Sequence, residues 1–208
     1  MKNTVFILVL GVLVQSLMGC SNRDADKKSI EKKKCNYSYN DESSVLEWTA
    51  FKFNNKTPVK GTFTKVNING LKTSNDPKEL LKSLRFSILT ASVETQNVER
   101  NAKIVQFFFG TIKTDSIVGK VLSLDDSGKS VVKIKMNGID RDVEGDYTFI
   151  DNKFTFKSSI DVAKWNALSG IDALNTVCKV LHTGNDGVSK LWTTVDIQFS
   201  TTLKADCQ

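Results

Sequence analysis

A single histidine, His182, among 208 residues leaves little room for histidine chemistry. No site built on two imidazoles can form in this chain, and any activated nucleophile would have one imidazole to draw on. No Gly-x-Ser-x-Gly elbow is present, and no acid is visibly placed to orient His182. Cys178 lies four residues before His182 and supplies at most half a metal site, so no metal and no catalytic residue is expected. A membrane-spanning helix needs about 20 apolar residues. The apolar run at 6–14 is stopped too early for that by Gln15 and Ser16. There is no internal repeat and no βαβ rhythm. The formal charge is +6, but the lysines are spread along alternating positions, as on a solvated sheet face. Without a basic patch interleaved with stacking aromatics, nucleic-acid binding is not expected.

What is present begins with the ends of the chain. Lys2, the apolar residues 6–14 and the sequence Leu17-Met18-Gly19-Cys20 follow in the order of a secretory signal, and the last four residues resemble the bacterial lipobox. That resemblance implies cleavage before Cys20, a diacylglycerol on its sulfur and an acylated, palmitate-type amine. Residues 1–19 are thus read as a lipoprotein signal peptide and 20–34 as a lipidated polar tether ending in Lys32-Lys33-Lys34. Two or three acyl chains anchor a protein firmly. Ser21 stands where an aspartate would, in the usual sorting pattern, hold the protein at the inner membrane. The expected location is therefore the cell envelope, lipid-anchored, on the outer membrane facing the periplasm.

Residues 35–208 are one domain's worth of chain. Residues 45–53 read as a strand whose apolar parity switches, which predicts a bulge. Pro58 turns the chain into a second strand, and Asn75-Asp76-Pro77 caps a short helix with Leu80, Leu81 and Leu84 on one side. Leu84, Phe86 and Ile88 then alternate before a polar run at 92–101 and three phenylalanines, Phe107 to Phe109, so this segment is expected to cross from sheet into cap. A strand or pair of short strands is expected over 112–124. Alternation at Val132, Ile134 and Met136, a turn at Asn137-Gly138, a return over 143–150, a turn at Asp151-Asn152 and alternation from Phe154 to Ile160 predict an antiparallel meander. Helical spacing follows at Trp165, Leu168 and Ile171, and the longest strand signal runs from Leu191 to Leu203. About eight strands with two or three short helices predict a mostly β fold, an eight-stranded antiparallel barrel whose interior is either filled or holds one small ligand.

With Cys20 lipidated, Cys35, Cys178 and Cys207 remain. An oxidising envelope favours pairing, and an odd count leaves one thiol over. Cys35 and Cys207 stand at the two ends of the domain, and a closed antiparallel barrel brings its first and last strands together, so a disulfide between them is expected. The alternative is three reduced thiols with Cys178 buried as a small apolar residue.

Four blocks occur in order: SVLEWTAF with VKGTFTKVNINGL, FSILTASVETQNVERNAKIVQFFF, MNGIDRDVEGDYTF and VSKLWTTVDIQF. Together, over residues 36–204, they resemble the YceI-like family, exported lipocalin-like barrels that bind polyisoprenoid lipids. The family's central serine, threonine, arginine and Phe-Phe pair fall on Ser92, Thr95, Arg100, Phe107 and Phe108, and Asn101 stands where the family has an aspartate. The resemblance implies an extended eight-stranded barrel with a long apolar tunnel holding an isoprenoid tail, such as that of a quinone or a polyprenol. Inward alternation of apolar residues makes either a core or such a pocket.

The candidate lipid-binding wall is Trp48, Phe51, Phe63, Phe86 and Ile88. Ser92, Thr95 and Arg100 are candidates for holding a head group; alternatively the hydroxyls cap a helix starting near Asn97 and Arg100 pairs with a surface acid. Phe107 and Phe108 are expected to line or plug the tunnel, with at least one of the three phenylalanines exposed, and Trp165 to cover an opening. The expected function is carriage of a long-chain lipid. The alternative is a structural or surface-interaction lipoprotein with a filled barrel, and a lipid-modifying enzyme ranks last. The partners expected are the lipid ligand, with no other cofactor, and the membrane through the anchor. Oligomeric state is left open, a homodimer among the options.

Overall fold

Strict inside-outside alternation makes each strand amphipathic, and the curl of the sheet follows from burying one face of every strand against the others. The computed structural model describes residues 34–208. The signal peptide, Cys20 and all of the tether except Lys34 lie outside the described residues. β1 (Cys35–Ser38) precedes a 3-10 turn at Asp41–Ser43, β2 (Val45–Lys52), β3 (Thr57–Phe63) and β4 (Val66–Asn69). Helix α1 (Pro77–Ser83) starts where Asp76 accepts a hydrogen bond from the Lys78 amide, with proline at the first helical position. β5 (Arg85–Leu89), a 3-10 turn at Thr90–Ser92 and β6 (Val93–Glu94) lead to α2 (Val98–Lys103), which continues without a break as a π-helix at Ile104–Phe109.

The meander follows as β7 (Ser116–Leu124), β8 (Lys129–Met136), β9 (Ile139–Ile150) and β10 (Lys153–Asp161). Its two tight turns have the expected chemistry. Asn137 and Gly138, like Asp151 and Asn152, all have positive φ, the geometry whose twist matches paired strands. A 3-10 turn at Val162–Trp165, helix α3 (Leu168–Val177) and a single turn at Lys179–His182 precede β11 (Leu191–Thr202) and β12 (Lys204–Cys207).

Ten strands form one sheet in the order β4-β5-β7-β8-β9-β10-β11-β2-β3-β6, with every neighbouring pair antiparallel. The expectation of a closed eight-stranded barrel is corrected by this order. The sheet is a curled, open half-barrel, and its strand count rises because two long strands are broken at a corner. β3 and β4 are separated by Thr64 and Lys65, and β5 and β6 by the turn at Thr90–Ser92. Beyond the corner the partners hold, β4 along β5 and β3 along β6. Hydrogen bonds from Thr64 N to Ser92 O (2.9 Å) and from Leu89 N to Lys65 O (3.1 Å) tie the corner itself.

Two smaller expectations also move. The bulge predicted within 45–53 lies on the partner strand, where the register against β2 shifts between Leu191 and Val195. Residues 112–115 belong to the turn after the π-helix, so β7 begins only at Ser116. β1 and β12 form a separate two-stranded ribbon with Cys35 opposite Cys207, and the two cysteines are joined by a disulfide. Cys178 is a free, buried thiol.

One apolar cluster runs through the molecule. Leu80 and Leu81 of α1, Phe108 and Phe109 of the π-helix and Trp165 pack into the same core as the inward residues of β8, β9 and β10.

Candidate functional site

Between the curled walls lies a cavity of about 140 Å³, lined by eighteen side chains that are all apolar. Leu46 and Trp48 come from β2, Val132, Ile134 and Met136 from β8, and Phe154 and Phe156 from β10. Trp48 brings no polar group to the space, since its Nε1 donates to the Thr62 carbonyl at 3.4 Å. The lining offers no acid, base or nucleophile, and its chemistry is confined to dispersion and the exclusion of water.

The cavity stays open partly because large rings lie flat against glycine. Gly61 faces Trp48 in the β2–β3 register, and a Cβ on Gly61 would come within 2.2 Å of the indole. Gly119 faces Phe86 in the β5–β7 register, and a Cβ there would come within 2.3 Å of the phenyl ring. Each glycine thus lets a ring settle onto the wall that a larger residue would push into the lumen.

Trp48, Phe63, Phe86 and Ile88, named from sequence, line this cavity together. Phe51 does not. It lies on the opposite face of β2, near the turn to β3, where the Lys56 ammonium is 6.0 Å from its ring. Trp165 is not among the lining residues either: it is 1% exposed and donates from Nε1 to the Ile134 carbonyl at 3.2 Å. Phe107 is half-buried and Phe108 buried, and neither lines the cavity. None of the three phenylalanines is fully exposed, and buried Phe109 stands against the lining residue Phe63 with ring centroids 6.2 Å apart, while Phe108 crosses Phe109 edge-on at 5.0 Å. α3 approaches this pair at Gly170, where a Cβ would meet Phe108 at 2.9 Å.

The polar candidates form a corner of their own, outside the cavity lining. Ser92 Oγ donates to the Leu89 carbonyl (2.6 Å) and accepts from the Lys65 amide (3.1 Å). Asn101 Oδ1 accepts from both the Thr95 amide (2.9 Å) and the Thr95 hydroxyl (2.7 Å), while its Nδ2 donates to Glu94 Oε2 (3.1 Å). Asn97 caps α2 by accepting from the Arg100 amide at 2.8 Å. The Arg100 side chain is exposed, and no hydrogen bond or ion pair of its guanidinium is seen among the described residues. The carboxamide at position 101 accepts and donates at once. An aspartate there could accept both Thr95 bonds but would set a second negative charge against Glu94.

Most of the wall residues missed from sequence belong to the meander and β11, including Ile134, Phe154, Phe156, Ile197 and Phe199, with Leu46, Val66, Ile68 and Leu84 beside them. Their period-2 alternation was visible, and the register of β10 against β9 and β11 decides that these particular rings point at one space. Among the described residues no group of three or more His, Cys, Asp or Glu is placed to hold a metal. His182 is engaged elsewhere: its Nδ1 donates to Asn175 Oδ1 at 3.1 Å, and burial, with the Lys52 ammonium nearby, pushes its pKa down to about 4.

The site is thus a curled antiparallel sheet around a wholly apolar cavity, with a polar corner whose Ser92, Thr95 and Asn101 are hydrogen-bonded within it. Residues 37–203 match the model of the YceI-like domain, and the chain belongs to that family. Two solved structures share the fold. A polyisoprenoid binding domain from Saccharophagus degradans, implicated in plant cell wall breakdown, is 13% identical over 84% of this chain and 100% of its own, with a TM-score of 0.57. Burkholderia cenocepacia BcnA is 15% identical over 80% of this chain and 98% of its own, with a TM-score of 0.54. No curated protein matches the chain.

Proposed function

We propose that the protein binds and carries an isoprenoid or other long-chain lipid, with the tail inside the curled sheet. The observation that carries this reading is the lining: eighteen side chains without one polar group facing the space. Trp48, Phe63, Phe86 and Ile88 would hold the tail together with Phe156 and Phe199. Ser92 and Thr95 have their hydroxyls committed to the corner, and the head group is left to solvent or to the carrier's partners.

The volume bounds how much of a tail the cavity takes in its present shape. An apolar cavity of about 150 Å³ takes one benzene, so the present space of about 140 Å³ admits about one isoprene unit. A longer tail would enter as flexible lining side chains such as Met136 change rotamer. Each buried five-carbon unit contributes roughly 4 kcal/mol gross, at about 0.8 kcal/mol per methylene, before the cost of ordering the tail. Several units therefore hold a lipid without any polar clamp. The polyisoprenoid binding described for the Saccharophagus degradans domain supports the ligand class.

The carrier would work in the cell envelope, tethered by lipid on Cys20 to the outer membrane and facing the periplasm. The lipobox resemblance at residues 17–20 supports the anchor, and the Cys35–Cys207 disulfide supports an oxidising compartment. Labelled palmitate should enter the full chain and be lost in Cys20→Ala.

Mass spectrometry of an organic extract from the purified full chain tests the ligand directly. One isoprenoid or long-chain lipid per chain is the expected result. Gly61→Ala, which drives the Trp48 indole into the lumen, should cut that occupancy while costing about 1–3 kcal/mol of stability. An empty extract from protein made in a lipid-replete host would instead favour the filled-barrel alternative.

A further inference from the structure

Beyond α3 the fold leaves apolar side chains in solvent. Val180 is 89% exposed and Leu181 59%, and Val177, at the end of α3, is 40% exposed. Val177 is the last residue of α3, and Val180 and Leu181 lie in the single turn that follows the break at Cys178. The turn between β2 and β3 packs beside them. Lys52 Nζ donates to the Leu181 carbonyl at 3.1 Å, and the Phe53 amide donates to the Lys190 carbonyl at 3.0 Å. Trp192 fixes the junction, its Nε1 donating to the Phe53 carbonyl at 2.7 Å. The ammonium groups of Lys190 and Lys56 stand 3.9 and 4.4 Å from the same indole.

The charge of this surface has one sign. Residues 52–56 and 177–192 together contain four lysines (52, 56, 179 and 190) and one acid, Asp186. Asp186 is already engaged, accepting from Asn54 Nδ2 at 2.6 Å and from the Val188 amide at 3.0 Å. Exposed aliphatic tips beside a tryptophan, rimmed by lysines whose stems lie along apolar surface, have the composition that sits at a bilayer interface. The tips enter the acyl boundary, the indole lies at head-group depth, and the ammonium groups reach the phosphates. A second copy of the chain fits less well. A two-fold interface sets a patch against itself, and here that would bring the same lysines face to face.

We propose that this surface docks on an anionic lipid bilayer, with Val180 and Leu181 entering the head-group boundary and the four lysines meeting lipid phosphates. The docking is independent of what the cavity holds.

Hydrogen exchange on the full chain, with and without vesicles, tests the proposal locally, so that attachment through the N-terminal residues does not mimic it. With vesicles of phosphatidylcholine containing phosphatidylglycerol, exchange should slow in 177–192 and 52–56. Pure phosphatidylcholine vesicles should leave those segments unchanged. Val180→Asp with Leu181→Asp, both at exposed positions, should abolish the protection without changing the melting temperature. Lys56→Gln with Lys190→Gln should weaken vesicle partitioning roughly 30-fold, since each lysine near an anionic surface is worth about fivefold. No protection at 177–192, equal protection on neutral vesicles, or protection that survives the double aspartate variant would overturn the proposal. So would protection that appears without vesicles as protein concentration rises, which would assign the surface to a second copy.

Discussion

The lumen and the corner lie four residues apart along one stretch of chain, and they solve opposite problems. Ile88 faces a space with no polar group in it, whereas Ser92 begins a run in which hydroxyls and carboxamides are bonded to one another or to backbone. In the lumen, every lining side chain but Trp48, whose Nε1 donates to the Thr62 carbonyl, is held by packing alone, and its loss removes apolar contact. At the corner, Asn101 alone answers Thr95 twice and Glu94 once, and its loss strands a donor pair that is 8% exposed. The contrast teaches that Ser92, Thr95 and Asn101 spend their hydrogen bonds on the bend of the sheet, while the lumen is lined by apolar side chains alone.

The sharpest way to break this contrast is Phe156→Ala. Phe156 is buried and lines the cavity, so truncation should cost about 3–5 kcal/mol in denaturant unfolding. The enlarged lumen should still yield lipid on extraction. Asn101→Leu comes next, with about 1–3 kcal/mol lost through the stranded Thr95 groups and lipid occupancy per folded chain unchanged. Loss of lipid in a folded Asn101→Leu protein would show that corner and lumen are one site.

A smaller effect belongs to pH. Burial depresses His182 to about 4, so the folded chain keeps the ring neutral while the unfolded chain takes up a proton below about 6.5. The unfolded state then binds more protons between those values. The contribution is fully present above about pH 6.5 and is lost as pH falls towards 4. Because the ring is half exposed, the loss is discounted to about 1 kcal/mol, or 2–4 °C in melting temperature. His182→Gln should flatten that part of the profile. Smallest of all, Arg100→Ala should change stability by less than about 0.5 kcal/mol and leave lipid occupancy unchanged.

Much of the architecture was legible because alternation is a local signal. The two-residue turns at Asn137-Gly138 and Asp151-Asn152, the Asp76-Pro77 helix start and the long last strand all lie where residue type and period put them. The corner was less legible. Ser92 and Thr95 in a polar run read equally well as head-group ligands or as caps, and only the positions of Leu89 O, Lys65 N and Asn101 Oδ1 assign their hydrogen bonds. Phe51 and Trp165 are of the residue type that lines tails, yet one lies on the outer face of β2 and the other is sealed in the core.

By itself the sequence determined the strand periods, the turn chemistry, the apolar inner face and the scarcity of catalytic groups, since each depends on residues close together in the chain. Tertiary structure alone decided that two strands break at a corner and that the sheet runs to ten strands in an open order. It also decided that rings from distant strands converge on one space kept free by Gly61 and Gly119. Those outcomes rest on register between segments far apart in sequence, where a shift of a single residue would turn every inward side chain to the solvent.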